Sequence, residues 1–439
     1  MSLLTAMYSS ASGLAANTDE LSVVGDNIAN SQTVGFKASR TDFADAMTQQ
    51  LVAGQGEQGL GVRTLTVQKL MAQGAFTTTN QDTDVAIQGN GMFVLKGAYG
   101  GTSGTFYTRA GEFTIDKDGY LTNAENLRVQ GLQADTLGDV SSGLLGDLQV
   151  GNASAPAKPT DDITVRGNLD STSKPTQNAV VGPPAYAGWT VTDAKNTSNF
   201  STSMVVYDSL GKPVQLDVYF CMDSVGDWHY HAVTDGANLT AGVANTPTEV
   251  ATGEMKFDTQ GRLVSNATTV NTFNPLNATN PQPLTFNFGN GTAAGGSGLD
   301  GITQYAADSA MSFVTQAGFT SGSLSRLSIG SDGKITGEFT NGQSRVLGQL
   351  VLGNFKAPDQ LARMGGTLYQ ETPSSGPGTL GTPATADRGS ISAGALEQSN
   401  VDIAQEFINM IAAQRGFEAD SKTLTTADQL LSDLMMVRR

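Results

Sequence analysis

The chain has 439 residues, enough for more than one domain, and a formal net charge of −16. Because an acidic chain repels nucleic acid and anionic membranes, we expect neither as a partner. The sequence has 52 glycines and few charged residues between short apolar runs, a mixture typical of β-rich proteins. No apolar run reaches the roughly 18 residues that span a bilayer, and the N-terminus lacks the basic and apolar regions of a cleavable signal peptide. We therefore expect either a cytosolic protein or one that is exported without cleavage.

The N-terminal segment predicts a helix that needs a partner. Apolar side chains recur every seven residues in a row formed by Met7, Leu14, Leu21 and Ile28. A second row, three positions earlier, widens this stripe with Leu4 and Ala11. A seven-residue repeat is typical of coiled coils, and an isolated helix with so narrow a stripe is marginal in water.

The C-terminal segment carries a longer repeat of the same kind. One row contains Ile403, Met410, Phe417, Leu424 and Leu431, and a second row, three residues later, contains Ala413, Ala427 and Leu434. Asp420 interrupts the second row, so we expect it at the edge of the apolar seam or facing water. The pattern predicts that the two ends form paired helices, within one chain or between neighbouring copies. Ordinary amphipathic helices packed on a globular core remain the alternative.

Between the two ends, apolar residues alternate as they do in strands, and the composition changes along the chain. Residues 151–310 hold ten of the 14 prolines, both tryptophans and both histidines, which predicts a separate β domain inserted into another. The fold class predicted is mainly β with α-helical, coiled-coil termini. Its parts are a terminal helical domain (1–31 and 400–439), linking segments (32–75 and 388–399), an inner β domain split in sequence (76–150 and 311–387) and an inserted outer β domain (151–310).

No group of residues predicts catalysis, a cofactor or a metal site. His229 and His231 would share one face of a strand, but no cluster of Cys or His surrounds them, so ordinary strand residues are favoured over metal ligands. The segment from Asp116 to Gly119 faintly resembles a calcium loop and fits a hairpin turn better. Cys221 lies in an apolar run, where a buried, inert thiol is the default. We therefore expect no enzyme activity and no small-molecule substrate.

Two stretches at the ends of the chain resemble the signatures of the flagellar rod and hook protein family. The first contains Asn27, Asn30, Gly35, Phe36 and Lys37, and the second contains Ser399, Asn400, Val401 and Asp402. The family usually has Asn-Asn where this chain has Asp26-Asn27, a mild departure. Residues 82–93 and 107–113 are similar to the family's inner β domain, and residues 207–211 to the inserted outer domain of hook proteins.

The resemblance implies a structural subunit of the flagellar hook, which polymerises into a hollow, flexible tube and acts as a universal joint. The apolar rows of the terminal helices would pack subunits together. The implied partners are other copies of the chain, the distal rod protein, the hook cap, the hook–filament junction protein, the hook-length control protein and the flagellar type III export apparatus. The subunit would be exported without signal cleavage to the extracellular hook. A distal rod subunit with an unusual insertion and a secreted adhesin are the alternatives.

Overall fold

The computed structural model describes residues 3–46, 49–50, 57–58, 60–135, 138–140, 144–176 and 189–437. It describes only the backbone of Leu3, Leu4, Gln49, Gln50, Glu57, Gln58, Leu434 and Val437. Helix α1 (Leu3–Ala29) and helix α2 (Ile403–Val437) lie at the ends, and the chain between them forms strands. The predicted fold class, mainly β with helical termini, is confirmed. None of the helices in the described ranges combines the length and the apolar character needed to cross a membrane.

The described residues fall into two compact units. The first is drawn from residues 1–153, 324–338 and 344–439, and the second from residues 154–323 and 339–343. The second unit is thus inserted into the first along the chain. The finer division into helical domain (1–31 and 400–439), linking segments, inner β domain and outer domain (151–310) stays a prediction.

The first part of the chain contributes twelve short strands to the first unit. They are β1 (Ser39–Asp45), β2 (Gln49–Gln50), β3 (Glu57–Gln58), β4 (Val62–Lys69), β5 (Phe76–Thr78), β6 (Val85–Gln88), β7 (Met92–Tyr99), β8 (Thr102–Thr108), β9 (Thr114–Ile115), β10 (Leu121–Thr122), β11 (Arg128–Gln133) and β12 (Leu145–Asp147). Strands β1 and β4 pair antiparallel within the predicted linking segment, part of which lies outside the described residues.

The middle of the chain forms the strands of the second unit. They are β13 (Ser154–Ala155), β14 (Asp162–Asn168), β15 (Phe200–Tyr207), β16 (Pro213–Ser224), β17 (Asp227–Asp235), β18 (Pro247–Phe257), β19 (Leu263–Asn271), β20 (Thr285–Asn287), β21 (Ile302–Thr303) and β22 (Ala310–Gln316). Strands β15 to β19 follow one another in a five-stranded antiparallel sheet.

The chain then returns to the first unit and pairs with its earlier strands. The returning strands are β23 (Gly322–Ile329), β24 (Lys334–Phe339), β25 (Ser344–Leu350), β26 (Leu352–Asn354), β27 (Ala362–Gly365), β28 (Leu368–Gln370), β29 (Thr379–Gly381), β30 (Ser390–Ala393) and β31 (Ala395–Glu397). Strand β25 pairs with β11, β30 with β6 and β31 with β5, all antiparallel. These pairings bring the segment before α2 back to the segment after α1.

The predicted hairpin turn at Asp118-Gly119 joins β9 to β10, where Ile115 faces Leu121. The Asp116 carboxylate accepts hydrogen bonds from the backbone N–H groups of Asp118 and Tyr120, at 2.9 and 2.7 Å. Gly119 has a φ of +83°, which favours glycine. The Asp116 carboxylate therefore stabilises the turn.

The second unit has an aromatic and aliphatic core. Along β16, Val214, Leu216, Val218 and Phe220 alternate with more exposed residues, because successive side chains of a strand point to opposite faces. Strand β17 adds the fully buried ring of Trp228. This core needs no residue from either terminal helix.

Cys221, His229 and His231 are buried in this same sheet. Burial raises the pKa of the Cys221 thiol to about 12, so the predicted inert thiol fits its surroundings. His231 Nδ1 lies 2.7 Å from Glu249 Oε1, and its ring stacks on Trp189 with centroids 3.8 Å apart. Within the described ranges, no group of three or more Cys, His, Asp and Glu could hold a metal ion.

Replacing Phe220 by alanine should lower the free energy of unfolding of the second unit by about 3–5 kcal/mol, because a large cavity remains in a closed core. Both tryptophans lie in this unit, so urea unfolding followed by tryptophan fluorescence reports on it. Phe313→Ala is the matched control, since that ring is half exposed, and should cost less than about 1 kcal/mol. Equal losses for both variants would contradict the assignment of the core.

Candidate functional site

Helices α1 and α2 pack against each other in antiparallel directions. Asn17 Nδ2 donates a hydrogen bond to Asp420 Oδ2 at 3.1 Å, and Asn27 Nδ2 donates one to Glu406 Oε1 at 3.1 Å. Residue numbers therefore rise along α1 as they fall along α2. The structure pairs the two ends within one chain.

The helix faces that meet coincide with the predicted apolar rows only in part. On α2 the most buried residues are Ala413 and Ala427, exposed by 2% and 5%, from the row that Asp420 interrupts. On α1 the most buried positions carry small or polar side chains and one valine, at Ser10, Gly13, Ala16, Val24 and Asn27. Small residues dominate because they let two helix backbones approach closely.

The other residues of the predicted rows are less buried than Ala413 and Ala427. Those that are half-buried are Met7, Leu14, Leu21, Ile28, Met410, Leu424 and Leu431. Those that are exposed in the single chain are Ala11, Ile403 and Phe417. Because these three residues are exposed in the single chain, their role in packing subunits together stays a prediction.

Asp420 is half-buried beside Gly13 and Asn17, and its expected place at the edge of the seam stays a prediction. A Cβ built on Gly13 would be 2.3 Å from Asp420 Oδ2, so the carboxylate occupies space that this glycine leaves open. The amide of Asn17 then supplies a hydrogen bond to the same oxygen. Space and a donor together make a half-buried carboxylate tolerable here.

The N-terminal signature residues hold the segment that leaves α1. Asn27 is fully buried, accepts a hydrogen bond from Ser39 N at 2.9 Å and donates one to Ser39 O at 2.7 Å. Asn30 donates to Asp26 O at 2.9 Å and so caps the last turn of α1. The two asparagines thus fix the end of the helix and the start of β1.

Gly35 and Phe36 turn the chain against the β strands of the first unit. Gly35 has a φ of +69°, and a Cβ there would lie 2.5 Å from Ala110 N. The buried ring of Phe36 lies under the Arg363 guanidinium, 4.7 Å from its centroid. Arg363 also pairs with Asp26, with Nη1 and Oδ2 2.7 Å apart. Asp26, which stands where the family usually has asparagine, therefore has an ion-pair partner in Arg363.

Lys37 ends the first signature in a buried ion cluster. Its Nζ lies 2.5 Å from Glu397 Oε1, and Arg109 Nη1 lies 3.2 Å from Glu397 Oε2. The side chains of Lys37 and Glu397 are fully buried. Burial lowers the pKa of Lys37 and of Arg109, and the negative charge of Glu397 opposes this shift in both. Gly74 N also donates to Glu397 Oε1, at 2.9 Å.

The C-terminal signature completes the junction and starts α2. Asn400 Oδ1 accepts a hydrogen bond from Ala38 N, and Asn400 Nδ2 donates to Leu70 O, both at 2.8 Å. The Asp402 carboxylate accepts from Ala404 N at 2.9 Å and so caps the N-terminus of α2. Ser399 Oγ and Val401 N are 3.4 Å apart, in the turn before the helix. The two signatures meet in space although more than 350 residues separate them.

Sequence reasoning missed three residues of this junction, namely Arg109, Glu397 and Glu406. One signal was available for Glu397, since it follows the apolar pair Ala395-Leu396 at the end of a strand. A charged residue in that position has to find a buried partner or reach water. Nothing in the sequence indicated that the partners would be Lys37 and Arg109.

Comparison with known proteins places the chain among flagellar proteins. Family models match four stretches: the flagella basal body rod protein (residues 7–37), the flagellar hook protein FlgE/F/G D1 domain (86–173), the flagellar basal body protein FlaE D2 domain (168–319) and the flagellar basal body rod FlgEFG protein C-terminal (392–436). The first and last of these contain the two signatures that meet at the junction.

Full-length relatives decide the family. The chain is 32% identical to the flagellar hook protein FlgE of Borreliella burgdorferi, over 99% of this chain and 100% of that one. It is 34% identical to that of Brucella abortus, over 100% of both chains, and 32% identical to that of Salmonella typhimurium, over 97% and 98%. The chain belongs to the flagellar hook protein FlgE family. As a member of this family, it is a structural subunit of the bacterial flagellar hook.

Removing the carboxylate of this hook subunit's ion cluster should weaken the first unit. Glu397→Ala leaves Lys37 and Arg109 buried without a counter-charge, and we expect a loss of about 3–5 kcal/mol in the free energy of unfolding. Calorimetry of the full chain measures it, with tryptophan fluorescence identifying the transition of the second unit. Glu418→Ala is the control, because its exposed pair with Arg415 should contribute less than about 1 kcal/mol. An unchanged calorimetric profile for Glu397→Ala would refute the role of the cluster.

Gly35 should tolerate alanine less well than another glycine with positive φ. Gly100 has a φ of +57° and open space around its Cβ position, so Gly100→Ala should cost only about 1–2 kcal/mol of backbone strain. Gly35→Ala adds a clash with Ala110 N and should lower the melting temperature of the first unit further. If the two variants have the same melting temperature, the close approach of Gly35 to Ala110 does not affect stability.

Proposed function

We propose that the chain polymerises through its terminal helices into the hollow, flexible tube of the hook, which acts as a universal joint and transmits torque from rod to filament. The observation that carries this proposal is an apolar face of α2 that nothing within the described chain covers. The distal rod alternative has no comparable support, since the full-length relatives reported above are hook proteins.

The first turns of α2 expose four large apolar side chains. The exposed fraction is 50% for Phe407 and 57% for Ile411, and it is similar for Ile403 and Ile408. Ile403, Phe407 and Ile411 are four residues apart, so they lie along one side of the helix. An apolar patch of this kind on a helix is typical of a surface that binds protein. In a homopolymer, this face would be covered by other copies of the chain.

The same reasoning applies to the predicted apolar rows. Ile403 and Phe417 are exposed in the single chain, and Met410, Leu424 and Leu431 are only half-buried. On α1, Met7, Leu14, Leu21 and Ile28 are half-buried as well. We propose that these side chains pack subunits together in the inner tube. Leu4 and Leu434, whose side chains lie outside the described residues, belong to the same proposal.

The remaining partners follow from the family. The proposed ones are the distal rod protein, the hook cap, the hook–filament junction protein, the hook-length control protein and the flagellar type III export apparatus. We also propose export without a cleaved signal peptide to the extracellular hook. The small polar side chains of the strands suit contacts between subunits that slide as the tube bends, because wet polar contacts exchange at little cost.

An aspartate on the exposed apolar face should abolish polymerisation. In Ile411→Asp, a carboxylate would have to lose its water in the contact between copies, so we expect tubes to disappear or to need at least about ten times more protein. Sedimentation and electron microscopy of the purified full chain measure this.

Gln414→Asp is the control for the added charge, since Gln414 is exposed and polar on the same helix. It should assemble as the parent chain does, and tryptophan fluorescence should show an intact second unit in both variants. Tubes of Ile411→Asp at the parent's concentration would reject the proposal. Straight, short tubes of the parent chain, in place of curved ones, would favour the rod alternative.

A further inference from the structure

The facing sides of α1 and α2 carry amides, carboxylates and glycines where leucines would bury more apolar surface. The amide of Asn17 bonds the Asp420 carboxylate, and the amide of Asn27 bonds the Glu406 carboxylate, each at 3.1 Å. A polar pair in a helix interface contributes less to stability than a well-packed apolar pair of similar size. Its presence therefore needs a reason other than stability.

Asn17 and Asp420 are also held by shape. Asp420 lies against Gly13, and a Cβ on Gly416 would be 2.8 Å from Asn17 Oδ1. Each polar side chain thus fills a place that a glycine leaves open on the opposite helix. Gly13 and Asn17 are four residues apart, as are Gly416 and Asp420, so the two side chains interlock with one turn between them.

All these contacts agree on one alignment of the helices. Asn17 faces Gly416, and Asn27 faces Glu406. The two asparagines are ten residues apart on α1, and their two partners are ten residues apart on α2. A pattern that repeats every seven residues could also pair after a slip of one heptad. The polar contacts decide between these alternatives.

Either slip would leave a carboxylate in an unfavourable place. With α2 moved seven residues in one direction, Asp420 would face Glu20, whose pKa burial and Glu406 already raise. Moved in the other direction, it would face Ala6, whose methyl group takes the space that Gly13 leaves open, and Ser10 would replace Asn17 as the neighbouring donor. In both cases Asn27 would lose Glu406. Of these three alignments, only the observed one keeps a glycine opposite both Asn17 and Asp420 and an amide beside each carboxylate.

We infer that Asn17 and Asp420 determine the register of the terminal helix pair, so that specificity in pairing the two ends comes from polar residues on its inner face. The apolar face of α2 lies outside these contacts and serves association between copies. Every contact that sets this register lies within one chain.

Distances between spin labels on the two helices test this inference. Cys221 is first replaced in Cys221→Ser, and labels are attached through Ser22→Cys on α1 and Gln429→Cys on α2, both exposed positions. The labelled chain is diluted with unlabelled chain and measured in solution and in any tubes that sediment. A slip of one turn or one heptad changes the offset of the labels along the helices by about 5 or 10 Å.

The parent should give one distance, and the variant Asn17→Leu with Asp420→Leu should give several. Thr18→Leu with Asp428→Leu is the control, since both positions are exposed on the same helices, and it should keep the parent distance. The exchange Asn17→Asp with Asp420→Asn restores an amide–carboxylate pair and should also keep it. This exchange stays decisive if the leucine pair prevents helix formation.

The inference fails if the leucine pair keeps the single parent distance, or if the exchanged pair gives a broad distribution. A broad distribution for the parent chain in both states would overturn it as well. Polymerisation is scored separately by sedimentation, so a chain with one register and no tubes would support the inference while rejecting the proposed assembly.

Discussion

The first unit depends on a carboxylate that has no access to water. Glu397 bonds Lys37 and Arg109, which come from the segment after α1 and from the end of β8, and it also accepts from Gly74 N. Removing any one partner would leave a buried charge or donor without compensation, which costs more than the intact cluster contributes. The cluster therefore acts as a condition for correct assembly of this unit. It is satisfied only when distant parts of the chain lie in one arrangement.

The junction around this cluster explains how an insertion of about 170 residues is tolerated. Strands β30 and β31 pair with β6 and β5, Asn27 bonds the backbone of Ser39 at the start of β1, and Asn400 bonds that of Leu70 just after β4. The ends of the chain are joined by these bonds whatever lies between them along the sequence. The second unit has a core of its own, so its interior can vary without disturbing the helix pair.

The helix pair itself has two chemically different sides. Its inner side is small and polar, with Asp420 and Asn17 bonded across it, and its outer side exposes Phe407 and Ile411. A polar inner face gives one alignment, because misplaced carboxylates are costly. In the assembly proposed above, the apolar outer face would hold copies together without a strict alignment, because the hydrophobic effect is not directional. The two faces would then serve alignment and association separately.

The sequence alone determined the fold class, the paired terminal helices, the inserted β region and the family resemblance. Periodicity and turn chemistry are local, so alternation in β16, the heptads of α2 and the turn at Gly119 can be recognised without coordinates. Only the tertiary structure decided which side of each helix faces the other. Heptad rows identify apolar stripes, but a stripe can face a second chain as well as the same one, so Ile403 and Phe417 could not be assigned in advance. Glu397 and Asp420 have partners that are hundreds of residues away in the sequence. A charge removed from water is stable only where folding brings a counter-charge, a hydrogen-bond donor or the space beside a glycine to it.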